Sequence, residues 1–135
     1  MKALSVKQPY ACAIAEGYKN IEFRSKPTSH RGELLICASK SERGYTTDDG
    51  KKLPVGCAMV IVNVIDCRRM TEADKSEYGA PQNIDGWWAW VLDPNTGETV
   101  EPKNVNGSIS FFNVDDDLIV PIDEGKTWAD FEYQH

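Results

Sequence analysis

The sequence predicts a small mixed α+β barrel, on three observations. Short alternating or β-branched apolar segments recur along the chain, an alanine-rich helical segment follows the first of them, and no repeat or Gly/Ser/Pro linker divides the 135 residues. A chain of this length can bury a core without disulfide staples, so one domain spanning residues 1–135 is expected.

Each element rests on its own signal. Lys2–Lys7 alternates around Leu4 and Val6 and reads as a strand broken by Gln8-Pro9. Pro9 suits the first turn of a helix, Tyr10–Glu16 places Ala11, Ile14 and Ala15 on one face, and Gly17 supplies the stop. Asn20–Ser25 alternates strictly, with Ile21 and Phe23 against Glu22 and Arg24, so the two charged side chains share one side of a strand. Leu34–Ala38 and the β-branched Gly56–Asp66 read as buried strands. Between them, residues 39–54 form a polar excursion with room for a short helix. Thr71–Tyr78 predicts a short helix with Thr71 as cap and Asp74 as its capping-box acid. Trp87–Leu92 is an aromatic strand and Asp93–Gly97 a turn. Ser108–Val114 and Leu118–Ile122 predict two further strands, and Thr127–Tyr133 a terminal helix or a frayed tail.

Composition narrows the function classes. The apolar runs at Met59–Ile65 and Trp87–Leu92 are too short to span a bilayer, and Lys7 interrupts any apolar signal core at the start. A cytoplasmic protein without membrane contact is expected. The four cysteines form no Cys-x-x-Cys pair and lie in apolar segments, and the two histidines, His30 and His135, complete no ligand cluster. Buried reduced thiols are therefore expected, with no metal and no cofactor. The net charge of −6 is unevenly spread: +4 over residues 1–40, −2 over residues 41–92 and −8 over residues 93–135. A local basic face on an acidic body guides a small anionic or single-stranded ligand to one place.

Ser5-Val6-Lys7-Gln8-Pro9-Tyr10, followed by Gly17-Tyr18-Lys19-Asn20-Ile21-Glu22-Phe23-Arg24-Ser25, resembles the ASCH (activating signal cointegrator homology) family. That family opens with Leu-Ser-Ile-Lys-Gln-Pro-Trp and continues with Gly-x-Lys-x-x-Glu-x-Arg-Ser. The likeness continues through His30–Ile36 and Ala38-Ser39, with weaker echoes at Gly56-Cys57 and Trp88–Leu92. It implies a PUA-like barrel whose cleft takes RNA, single-stranded nucleic acid or a modified nucleoside. Carried over position by position, Lys7 and Gln8 would sit on the cleft floor, Lys19 on its lip, and Glu22 and Arg24 on its wall. Tyr10 stands where tryptophan is usual, a smaller aromatic face.

The same residues make chemical sense without the family. A glutamate such as Glu22 accepts from an exocyclic amine, and Arg24 offers a planar donor fork to phosphate or a base edge. Lys19 holds a phosphate as a point charge or, desolvated, acts as a base. Tyr10 or one of Trp87, Trp88 and Trp90 supplies a stacking ring, with Trp90 as the preferred tryptophan and at least two of the three filling the core. Ser39, followed by Lys40, borders the cleft or simply begins a loop. The plain alternative for Glu22 and Arg24 is a surface salt bridge; for Lys7, a solvated strand end; for His30, an ordinary loop position.

Some bacterial ASCH proteins are amidohydrolases acting on acetylcytidine, with a Gly-x-Lys-x-x-Thr-x-Arg motif. Lys19 and Arg24 match it, but Glu22 replaces the threonine and lacks the hydroxyl for acyl transfer. An enzyme here would use Lys19 and Glu22, with Glu72 or Glu77 assisting, on acylated cytidine or as a ribonuclease. A nucleobase- or nucleic-acid-binding domain is the leading reading, this hydrolase the alternative. A pure protein-interaction barrel leaves the cluster of Lys7, Gln8, Lys19, Glu22 and Arg24 without a purpose.

The charge balance predicts feeble binding to long duplex DNA at physiological salt, since few phosphates can be neutralised. A filter-binding titration over a range of salt concentrations checks this; tight, sequence-independent binding with a steep salt slope would contradict it.

Overall fold

In the computed structural model, which describes residues 1–41 and 43–135, the chain is an α+β fold built around one curled sheet. The strands are β1 (Lys2–Val6), β2 (Ile21–Arg24), β3 (Gly32–Ala38), β4 (Cys57–Arg69), β5 (Trp88–Leu92), β6 (Glu98–Thr99) and β7 (Phe112–Asn113), with one α-helix, α1 (Tyr10–Ala15). Their order is β2-β5-β4-β3-β1-β7, with β6 attached to β4. β1 runs parallel to β3, and α1 and β2 lie between them in the chain; the other pairings are antiparallel. In a flat sheet β2 and β1 would stand about 19 Å apart, four strand spacings. Instead Arg24 Nη1 lies 3.4 Å from the Ser5 carbonyl oxygen, so the sheet coils round on itself. Among the described residues the ladder stays open between β2 and β7, so the barrel is partial.

The coil encloses the core. Leu4, Val6, Leu34, Ile36, Val60, Val62, Val64, Trp90 and Leu92 face inward, and Ala11, Cys12 and Ile14 of α1 close one end. Ala3, Leu35, Cys37 and Ala58 point the other way and are covered by Val100, Val105 and Val114. β3 is thus buried on both faces, which is why it reads as a continuous apolar run. Each fully buried Leu, Ile or Val contributes about 1.5–3 kcal/mol. Register shifts at Ile36/Cys37 and Val64/Asp66 bend β4, the second leaving Ile65 half exposed.

Several expected elements differ. β4 runs on to Arg69 because Arg68 and Arg69 pair with Ala89 and Trp88. Only Phe112–Asn113 of the expected Ser108–Val114 strand forms, since Ser108 bonds to the Ser110 backbone and competes with a ladder. In place of Leu118–Ile122 there is a 3₁₀ turn at Asp116–Leu118 and a single bridge between Val100 and Pro121. The end of the chain is neither a long helix nor a frayed tail. Thr127 caps a 3₁₀ turn at Trp128–Asp130, and the buried Trp128 donates from Nε1 to Glu16 Oε1 at 3.3 Å. The polar excursion forms no helix among its described residues, and Glu42 lies outside them. No helix is long and apolar enough to cross a membrane among the described residues. Cys12, Cys37 and Cys57 are buried free thiols, pushed up to about 12 by desolvation, whereas Cys67 is only half-buried.

The mid-chain segment is tied down by one ion pair. Thr71 opens a 3₁₀ turn at Glu72–Ser76, shorter than the expected helix, with Asp74 as its acid. Asp74 is 5% exposed and accepts from Arg68 Nη1 and Nη2 at 2.8 and 2.9 Å and from the Thr71 amide at 2.7 Å. The Arg68 hydrogen bonds hold its carboxyl down at about 2, below the ordinary carboxylate range. A depressed folded-state pKa contributes stability above the unfolded value and loses it as pH falls through the folded one. Asp74→Asn is therefore expected to cost on the order of 1–2 kcal/mol at neutral pH, discounted for the partly exposed Arg68. The gap to wild type should close between about pH 5 and pH 2, followed by urea midpoints; a constant gap over that range would contradict it.

Candidate functional site

The cleft begins where α1 stops. Gly17, at φ +87°, turns the chain back so that the Tyr18 and Lys19 amides both donate to the Ala13 carbonyl, at 2.9 and 3.2 Å. This drives the Lys19 side chain inward, and the residue is 3% exposed. Its ammonium lies 5.5 Å from the Tyr10 ring centre and 5.2 Å from that of Phe23, donates to the Tyr78 carbonyl at 3.2 Å, and stands 3.7 Å from Glu22 Oε1. Burial lowers its pKa below the ordinary lysine value; Glu22 and Glu77 oppose that shift. Of the two glutamates named as possible helpers, Glu77 is the one whose charge acts on Lys19, while Glu72 pairs with Lys75 at 2.9 Å.

β2 then sets the wall. Glu22 and Arg24 pair in register with Trp90 and Trp88 of β5, so both point to the concave side. Arg24 Nη1 donates to Glu22 Oε2 at 3.2 Å, completing a Lys19–Glu22–Arg24 chain that carries a net single positive charge. The salt bridge expected as the plain alternative does form, but it lies inside the cleft rather than on an open face. Glu22 is 8% exposed, and each carboxylate oxygen keeps acceptor capacity beyond the cation it already meets.

These side chains line a cleft of about 640 Å³. The structure brings Lys7, Tyr10, Lys19, Glu22, Arg24 and Ser39 to it, together with Phe23, Pro81 and Trp87. Tyr78 meets Tyr10 edge-on at 5.8 Å, and Gly79 abuts the same ring. A Cβ on Gly79 would stand 2.6 Å from Tyr10 Cε1, and its φ of +73° already disfavours other residues.

Two expected site residues are buried and do not line the cleft, though the Trp90 ring lies 5.7 Å from the Arg24 guanidinium. Gln8 is 1% exposed, and its amide is spent on the protein: Oε1 accepts from the Cys12 amide at 3.0 Å and Nε2 donates to the Pro54 carbonyl at 2.8 Å. It locks the start of α1 to the segment entering β4. Trp90 is 5% exposed, donates from Nε1 to the Lys26 carbonyl at 2.9 Å and belongs to the core. The tryptophan lining the cleft is Trp87, which precedes β5; strand alternation gave no signal for it, since it puts Trp88 and Trp90 on the face that Glu22 and Arg24 share. His30 contacts the Glu33 carbonyl through Nε2, packs near Phe111 and does not line the cleft. No group of three His, Cys, Asp or Glu side chains suited to a metal ion occurs among the described residues.

Comparison with known proteins agrees with this fold. The chain is 27% identical over 128 residues to activating signal cointegrator 1 from Homo sapiens and 26% identical to the Mus musculus protein. Both alignments cover 83% of this chain but 22% of the relative, so the chain spans about a fifth of their length. Among solved structures, a point variant of the ASCH protein from Zymomonas mobilis superposes with a TM-score of 0.61 at 15% identity, covering 84% of this chain and 89% of that one. Another crystal structure of ASCH from the same organism gives 0.54 at 14% identity, covering 86% and 88%. The sequence matches the ASCH domain over residues 4–105, and the chain belongs to that family.

Proposed function

We propose that this domain binds a nucleobase, presented by single-stranded nucleic acid such as RNA or by a modified nucleoside, in the Lys19–Glu22–Arg24 cleft. The observation that carries the reading is the convergence of these three charged groups in one cleft that Tyr10 and Trp87 also line. Glu22 takes an exocyclic amine, Arg24 faces a phosphate or a base edge, and a ring packs on the base. Lys7 adds an exposed cation at the same mouth.

A hydrolase acting on acylated cytidine, or a ribonuclease, is the second reading. It is favoured by the lowered pKa of Lys19, which leaves a larger share of neutral amine to act as base. Glu22 in that site would direct water rather than form an acyl intermediate.

Quenching of Trp87 fluorescence by nucleosides and short RNAs tests the binding reading, with Trp87→Phe as the control. Arg24→Ala is expected to weaken anionic ligands by about 1.5–3 kcal/mol. Glu22→Gln should change the preference among bases, because an acceptor becomes a mixed donor and acceptor. Saturable binding unaffected by either substitution would remove the site. The two readings separate on acetylcytidine: acetate release that Lys19→Ala abolishes, with substrate binding retained, would establish the hydrolase instead.

A further inference from the structure

The cleft does not end at its serine edge. A second depression of about 450 Å³ shares Ser5, Ser39, Ser41, Ser108 and Ile109 with it and adds Lys40 and Asn106. The boundary between the two is a collar of hydroxyls, in which Ser39 Oγ and Ser41 Oγ are 2.9 Å apart. Ile109, 97% exposed, stands on the same boundary and offers an apolar surface to whatever crosses it. Lys40 is held against the floor. Its stem lies across Gly56, where a Cβ would come within 2.7 Å of Cε and 3.0 Å of Cγ, and Gly56 sits at φ +64°.

Charge marks this groove off from the rest of the molecule. The chain has 21 acidic residues, yet among the described residues lining the two depressions Glu22 is the sole carboxylate, and it already meets two cations. Lys7, Arg24 and Lys40 then face the groove with serine hydroxyls between them, a donor-rich path from the buried end to the outer one. Such a path suits a phosphodiester, whose oxygens accept from hydroxyls and cations alike.

We propose that the second depression is a subsite for the nucleotide adjoining the one whose base enters the Lys19–Glu22 end, so that the ligand is a short single strand rather than a free nucleoside. This rests on the nucleobase reading above. The linking phosphodiester crosses the serine collar between Arg24 and Lys40, and the flanking nucleotide packs over Ile109.

Calorimetric titration with cytidine, and with ribo- and deoxyribo-dinucleotides containing it, tests the proposal. A dinucleotide of either sugar should bind about ten-fold or more tightly than the nucleoside, with an affinity that falls as salt rises. Lys40→Ala should remove most of that gain and leave cytidine binding unchanged; Ser39→Ala/Ser41→Ala should also lower dinucleotide affinity, and Lys40→Gln serves if the alanine variant folds poorly. A preference for the ribose series would mark RNA as the source, and equal gains would mark single strands of both kinds. Equal affinity for nucleoside and dinucleotide, or an equal loss for both on Lys40→Ala, would overturn the second subsite alone. No binding by any of these ligands would overturn the nucleobase reading with it.

Discussion

The burial of one ammonium group organises this molecule's cleft. Lys19 is 3% exposed, and a charge that far from water costs several kcal/mol unless partners replace its hydration. The fold supplies them from three directions: Glu22 from β2, the Tyr78 carbonyl from the segment after the mid-chain turn, and the faces of Tyr10 and Phe23. Each supplier must itself be held in place. Arg24 braces Glu22, Gly79 admits the Tyr10 ring, and the Arg68–Asp74 pair fixes the turn that delivers Tyr78. Stability and site geometry are therefore the same network here, reached from two ends.

The network also explains how an acidic protein can present a cationic pocket. Pairing one carboxylate with two cations leaves a single excess positive charge in a confined space, where water screens it poorly. Several acidic residues of the last third, Glu101 and Asp115–Asp117 among them, adjoin Val100, Val114 and Leu118, which cover the outer face of β1, β3 and β4. A net charge of −6 opposes long duplexes, and the proposed binding relies on the local excess of cations in the cleft.

How much of this could be read in the sequence depended on the range of the interactions involved. The alternation Ile21–Ser25 placed Glu22 and Arg24 on one side, and the Gly17 stop together with the motif spacing put Lys19 beside them; both are local signals. Gln8 defeated the same reasoning. A polar residue at a strand end looks available to a ligand, and nothing nearby in sequence reveals that Pro54, 46 positions on, takes up its amide. Trp90 misled in the opposite way, since an aromatic ring suits both stacking and a core, and only its burial and the bond of its Nε1 to the Lys26 carbonyl, 64 positions away, decide between them. The later strands were illegible for a related reason. Glu98–Thr99 is too short to show a period, and at Ser108–Ser110 hydroxyl contacts displace the ladder. The extension of β4 to Arg69 depends on partners in β5, which lie 20 residues downstream.

The central claim, that this protein's ligand sits in the Lys19–Glu22–Arg24 cleft, is tested most directly by amide chemical-shift mapping during titration with a short single-stranded oligonucleotide. The account predicts that shifts cluster at residues 5–10, 19–25, 39–41, 78–81 and around Trp87, and that they saturate together. A competing surface exists for comparison, the depression of about 450 Å³ bounded by Glu101–Asn104 and Phe131–Gln134 on a different part of the molecule. Shifts centred on that surface, with Lys19, Glu22 and Arg24 silent throughout, would contradict the account.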